Sequence, residues 1–128
     1  MTTQKTKILI VDDDASIGQV LKAGLEMHGF VVKYDARSTD AITVCRAFRP
    51  DLVLLDVDMP DKDGGQVALE LQNDPALRNI PVIFLTSLVS QEEVAKRSAS
   101  GEMLLAKPIR IVELAAKIRS VLQPQPHA

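Results

Sequence analysis

Four short apolar runs, each ending abruptly at a polar or charged residue, constrain this chain more than any other feature. Leu52-Val53-Leu54-Leu55 runs into Asp56, Ile8-Leu9-Ile10-Val11 into Asp12-Asp13-Asp14, Val82-Ile83-Phe84-Leu85 into Thr86-Ser87, and Met103-Leu104-Leu105-Ala106 into Lys107-Pro108. Runs of this length are too short for helices, and without polar alternation they read as strands buried on both faces, the pattern of a central parallel strand. Pro50 and the Pro60 and Gly64 turn signals bracket the run that contains Leu54. Parallel pairing would align the acidic triplet, Asp56, Thr86 and Lys107 along one carboxyl edge, where open α/β sheets bind ligands. Alone, Asp56 would read as a turn or cap residue. With the other three run ends beside it, it reads as part of a site.

A further strand, Phe30 to Tyr34, alternates more and so belongs nearer an edge. Between the strands lie helical patterns. The first opens at Asp14 or Ala15, carries Ile17, Val20, Leu21 and Leu25 on one face, and ends at Gly29 as a left-handed cap candidate. Ser38 or Thr39 can cap a second with Ala41, Ile42, Cys45 and Phe48, stopped by Pro50. A third runs from about Gly65 to Gln72 with Val67, Ala68 and Leu71 inward, and the stretch after Pro75 reads as a plain polar loop. Ser90-Gln91-Glu92-Glu93 is a capping-box pattern for a fourth, weakly apolar helix anchored on Val94. The last, from about Arg110 to Leu122, carries Ile111, Leu114, Ala115, Ile118 and Leu122 on one stripe. Five strands alternating with five helices predict an α/β, doubly wound, flavodoxin-like parallel sheet of order 2-1-3-4-5 with helices on both faces. That order sets Asp12 and Asp13 beside Asp56.

At 128 residues the chain suits one domain, with residues 7–122 as the folded unit, residues 1–6 disordered, and residues 123–128 a flexible tail or the start of a linker. The net charge of −2 and pI near 5.6 offer no electrostatic footprint for nucleic acid or an anionic membrane. Neither a signal peptide nor a membrane span is read in the sequence. A single cysteine, Cys45, and no zinc-like spacing predict a reducing, cytoplasmic setting, and His127 reads as a bystander.

Carboxylates brought within a few ångströms repel each other and stay ionised only if a cation or Lys107 compensates them. A hard divalent ion, Mg²⁺, suits such oxygen donors. The predicted ligands are Asp13 and Asp56 directly, Asp12 through a water, and the backbone carbonyl of Asp58, with Asp14 left as the cap of the first helix. A carboxylate so placed can attack a phosphoryl group while an ammonium and a hydroxyl, from Lys107 and Thr86, hold the phosphoryl oxygens. No glycine-rich phosphate loop is present, so the phosphoryl group would come from another protein or a small acyl phosphate.

From Lys7 to about Leu122 the chain resembles the receiver domain of two-component response regulators. The matching residues are Ile10-Val11-Asp12-Asp13-Asp14, Leu54-Leu55-Asp56-Val57-Asp58-Met59-Pro60 with Asp63-Gly64, Ile83-Phe84-Leu85-Thr86-Ser87, and Lys107-Pro108. The resemblance implies Asp56 as phosphoacceptor, Asp12 and Asp13 as the Mg²⁺ pair, Thr86 as switch hydroxyl, Lys107 as the phosphate-sensing lysine, and a cis Lys107–Pro108 bond. It implies a histidine kinase or histidine phosphotransfer protein as donor and a downstream protein target or output domain. Such a module promotes only its own phosphorylation and dephosphorylation. Direct nucleic-acid or membrane contact is not expected, and weak homodimerisation is left open.

Two positions depart from the family pattern. Leu104 stands where most receivers carry an aromatic switch residue, and the segment Gly101 to Leu104 is one residue shorter than usual. Two alternatives accompany this reading. One is a receiver-like docking module that is never phosphorylated. The other is a haloacid dehalogenase-like phosphatase, whose second acidic pair should follow the lysine, where only Glu113 stands here.

Overall fold

A computed structural model of the chain describes residues 5–57, 59, 64–86 and 103–123. Its strands are β1 (Lys7–Val11), β2 (Val31–Asp35), β3 (Leu52–Asp56), β4 (Val82–Thr86) and β5 (Leu104–Ala106), all parallel, in the order β2-β1-β3-β4-β5. The described helices are α1 (Ala15–Met27), α2 (Ala41–Phe48), α3 (Gly64–Asn73) and α4 (Ile111–Leu122). The helix expected from Ser90 lies outside the described residues.

Strand residues alternate between two cores, which is why the central runs carry no polar positions. Ile8, Ile10, Leu52, Leu54, Ile83 and Leu85 pack with Leu21 and Leu25 of α1 and Leu114, Ala115 and Ile118 of α4. Leu9, Val11, Val53 and Leu55 pack on the other face with Ala41 and Cys45 of α2 and Val67 and Leu71 of α3. β2, the more alternating strand, is an edge.

Asp14 caps α1, its Oδ1 accepting from the Ser16 N–H at 3.0 Å, the Ser16 hydroxyl at 2.6 Å and the Ile17 N–H at 3.3 Å. At the other end Gly29 has φ +93°, a conformation in which a Cβ would be strained. Three local expectations are corrected. Val20 is 64% exposed rather than inward, because the buried stripe of α1 is rotated toward Gly18, about 100° per residue around the helix. Ser38 and Thr39 do not cap α2. They begin a 3₁₀ turn, Ser38–Asp40, whose Ser38 is buried, and the helix follows from Ala41. That helix ends before Pro50, with Arg49 in the left-handed region (φ 55°). The stretch after Pro75 is a bonded turn rather than a plain polar loop: Asp74 accepts from the Ala76, Leu77 and Arg78 N–H groups, and Leu77 is buried in the second core.

No helix of the described residues is long and apolar enough to cross a membrane.

Candidate functional site

The parallel register brings the strand ends to one edge. Val11 pairs with Leu55, so Asp12 follows β1 beside Asp56, the last residue of β3; Thr86 ends β4 opposite Ala106, and Lys107 comes next. Asp12, Asp56 and Thr86 are buried at 0%, 4% and 2% exposure, while Asp13 is exposed. One carboxylate oxygen from each of Asp12, Asp13 and Asp56 lies within 4.8 Å of the others. Asp58, expected to add a carbonyl, lies outside the described residues, as do Ser87 and the shortened segment's Gly101 and Glu102.

Lys107 reaches into this cluster. Its Nζ lies 2.9 Å from Asp12 Oδ2 and 3.5 Å from Asp56 Oδ1, and the Lys107 backbone N–H donates to the Thr86 carbonyl at 2.7 Å. Burial pulls the ammonium's pKa down, but the bond and charge of Asp12 and then of Asp56 outweigh it, so the net shift is upward. Apart from this contact with the Lys107 ammonium, Asp12 Oδ2 has no hydrogen-bond partner among the described residues. Asp12 Oδ1 accepts from the Asp14 N–H at 2.9 Å. The Lys107–Pro108 peptide bond is cis, and Leu104 is 4% exposed, paired with Phe84.

Two glycines shape the surroundings. A Cβ on Gly64 would meet the Asp56 carbonyl oxygen at 2.5 Å and Val57 Cα at 3.0 Å, so only glycine lets the start of α3 close over the end of β3. Its N–H donates to the Val57 carbonyl at 3.1 Å. Gly18 gives room to Tyr34, whose hydroxyl donates to the Asp12 carbonyl at 2.6 Å. Burial, followed by the charges of Asp12, Asp13, Asp14 and Asp35, raises the Tyr34 pKa. Sequence reasoning passed over both residues. The available signal was register: Ile10 pairs with Tyr34, which places this aromatic at the same carboxyl edge as Asp12.

Residues 8–119 match the family model of the response regulator receiver domain. The chain belongs to this family. It is a receiver domain of two-component signalling. It is 36% identical over 124 residues to the DNA-binding response regulator MtrA of Mycobacterium tuberculosis, covering 96% of this chain and 53% of that protein. It is 39% identical over 127 residues to the probable transcriptional regulator ycf27 of Cyanophora paradoxa, covering 96% and 51%. The chain thus spans about half the length of the curated relatives it matches. Among solved structures it resembles a response regulator from Desulfuromonas acetoxidans (TM-score 0.81, 27% identity, covering 91% of this chain and 96% of that one). The chemotaxis protein CheY4 of Vibrio cholerae is similar too (TM-score 0.81, 28% identity, covering 93% and 100%).

The name DNA-binding regulator stands against the expectation of no nucleic-acid contact. That expectation came from the charge of this chain and reaches no further than it. No comparison supports the phosphatase alternative or the unphosphorylated docking module.

Proposed function

We propose that this receiver accepts a phosphoryl group on Asp56 from a histidine kinase or histidine phosphotransfer protein, in a Mg²⁺-dependent reaction, and thereby switches a protein-interaction surface. The observation that carries the reading is the buried Asp56 carboxylate sharing the Lys107 ammonium with Asp12, at 3.5 and 2.9 Å.

An Asp56 oxygen attacks phosphorus, forming the acyl phosphate as the P–N bond to the donor imidazole breaks. The Lys107 ammonium, already aimed at the cluster, holds negative charge on the phosphoryl oxygens, and the Thr86 hydroxyl donates to one of them. The donor set fits a hard cation: three carboxylates converge, and Asp12 Oδ2 has no hydrogen-bond partner among the described residues beyond its contact with the Lys107 ammonium. Asp12, Asp13 and Asp56, with the Asp58 carbonyl, would hold Mg²⁺, which when bound neutralises charge on nucleophile and phosphoryl oxygens alike. Phosphorylation draws Thr86 toward Asp56 and remodels the face beside β5 and α4, with the buried Leu104 filling the place of an aromatic switch.

An apolar groove lined by Ile17, Val20, Leu21, Pro108 and Ile109 opens beside Lys107 and gives exposed Val20 a role in seating the donor protein. Residues 7–122 act as the folded module, in the cytoplasm, without turnover of a separate substrate. A downstream protein or output domain reads the switched face.

Incubation with acetyl phosphate, with and without Mg²⁺, followed by intact mass spectrometry, tests the assignment. A Mg²⁺-dependent gain of about 80 Da, one phosphoryl group, is expected in the parent chain and not in Asp56→Asn. A gain that persists in Asp56→Asn would overturn Asp56 as the acceptor.

A further inference from the structure

Asp12 is held from several directions, through its backbone and through one carboxylate oxygen. Its N–H donates to the Asp35 carbonyl at 3.2 Å, its carbonyl accepts from the Tyr34 hydroxyl at 2.6 Å, and its Oδ1 accepts from the Asp14 N–H at 2.9 Å. What remains is Oδ2, turned toward Lys107 and the other two carboxylates of the cluster. The Tyr34 hydroxyl is the one side-chain donor in this set. It reaches the carbonyl because its ring lies in the space left by Gly18 of α1, where a Cβ would fall 2.7 Å from ring atom Cδ1. Hydroxyl, ring and glycine therefore form one strut between the edge strand, the first helix and the end of β1.

We propose that Tyr34 is a positioning residue for the cation site: its hydroxyl clamps the Asp12 carbonyl and so fixes the direction of the Asp12 carboxylate toward Asp13 and Asp56. The inference rests on the acidic cluster binding Mg²⁺. A group that orients a ligand without touching the ion ordinarily governs affinity, because a ligand free to turn loses part of its fixed geometry. The competing account is packing alone, in which the ring fills the hole over Gly18 and the hydroxyl is incidental.

Tyr34→Phe separates the two, since it keeps the ring on Gly18 and removes only the donor. Calorimetric titration of the chain with Mg²⁺ should show about tenfold weaker binding in this variant, the lower end of what outer-shell partners of metal ligands contribute. A melting curve as cooperative as the parent's would show that the fold is intact. A second readout is built in: Tyr34 is the chain's single tyrosine and there is no tryptophan, so tyrosine emission comes from this one residue beside the cation site. In the parent chain that emission should change saturably with Mg²⁺, with the calorimetric midpoint. Gly18→Ala, which pushes the ring off its seat, should weaken Mg²⁺ binding in the same direction and serves if Tyr34→Phe does not fold. Equal affinity in the parent chain and Tyr34→Phe would overturn the inference and leave the cation site standing. Absence of Mg²⁺ binding by the parent chain would overturn both.

Discussion

Both edges of the sheet carry carboxylates, and they hold them in opposite ways. Near the amino ends of the strands, exposed Asp51 accepts from the Lys7 N–H at 2.8 Å, and Asp74 pairs with Arg46 at 2.7 Å, the arginine 64% exposed. Each charge there has its own partner, and Asp51 and Arg46 are open to water although the Asp74 side chain is 12% exposed, so each pair contributes little. At the carboxyl edge Asp12 and Asp56, 0% and 4% exposed, share one ammonium, with Asp13 close by. Among the described residues one ammonium faces these converging carboxylates, so negative charge is concentrated there, which costs stability and creates affinity for a further cation. The same chemical group is a surface detail on one edge and a concentrated buried charge on the other.

The comparison breaks most visibly at Lys107. Replacing it in Lys107→Met removes the ammonium while both buried carboxylates remain. The expected loss is about 3 kcal/mol in a chelator-containing buffer, the range for breaking a buried pair by deleting one partner. Millimolar Mg²⁺ should recover part of it, because the ion neutralises the same oxygens. Urea unfolding with and without Mg²⁺ measures both, and a variant as stable as the parent chain in chelator would show that the carboxyl edge is no more demanding than the amino edge.

Asp14 sharpens the picture from within the acidic triplet, since it stands two residues from Asp12 yet behaves like an amino-edge charge. The Ser16 hydroxyl first, then the Ile17 N–H, holds its carboxyl below the ordinary value. Asp14→Ala should lower the melting temperature by about 3 °C through loss of a helix cap, while Mg²⁺ affinity stays within twofold of the parent chain. A large fall in affinity would mean that the cap and the cation site are not separable.

The division between these neighbours was legible in the sequence, because a cap and a strand-end ligand obey different local rules. The strands were legible for a similar reason: continuous apolar runs such as Leu52 to Leu55 report burial on both faces. What stayed hidden depended on partners distant in sequence. Val20 matched the helical period as well as Leu21 did, but the buried stripe turns toward Gly18, a residue that adds nothing to a hydrophobic pattern and is buried under Tyr34. Ser38 looked like a cap and became a buried member of a 3₁₀ turn. Leu77 sat among polar neighbours, yet closes the second core. In the site, the converging strand ends marked Asp12, Asp56, Thr86 and Lys107, whereas the strut of Tyr34 and Gly18 exists only once β2 lies beside β1.

The smallest effect belongs to the amino edge, at Arg46→Gln. The Arg46 hydrogen bond first, and then the Ala76 N–H, holds the Asp74 carboxyl below its ordinary value of 3.8. A carboxyl depressed in the folded chain contributes stability at pH values above its unfolded pKa and loses it as pH falls through the folded one. The urea midpoint of the parent chain should therefore exceed that of Arg46→Gln slightly at neutral pH, and the two should converge below pH 3.8, where Asp74 takes up its proton. Because Arg46 is mostly in water, molar salt should shrink the neutral-pH gap as well. A gap that survives both acid and salt would mean that Arg46 acts through its aliphatic stem on α2 rather than its charge, and the amino edge would then be held by packing instead of by solvated pairs.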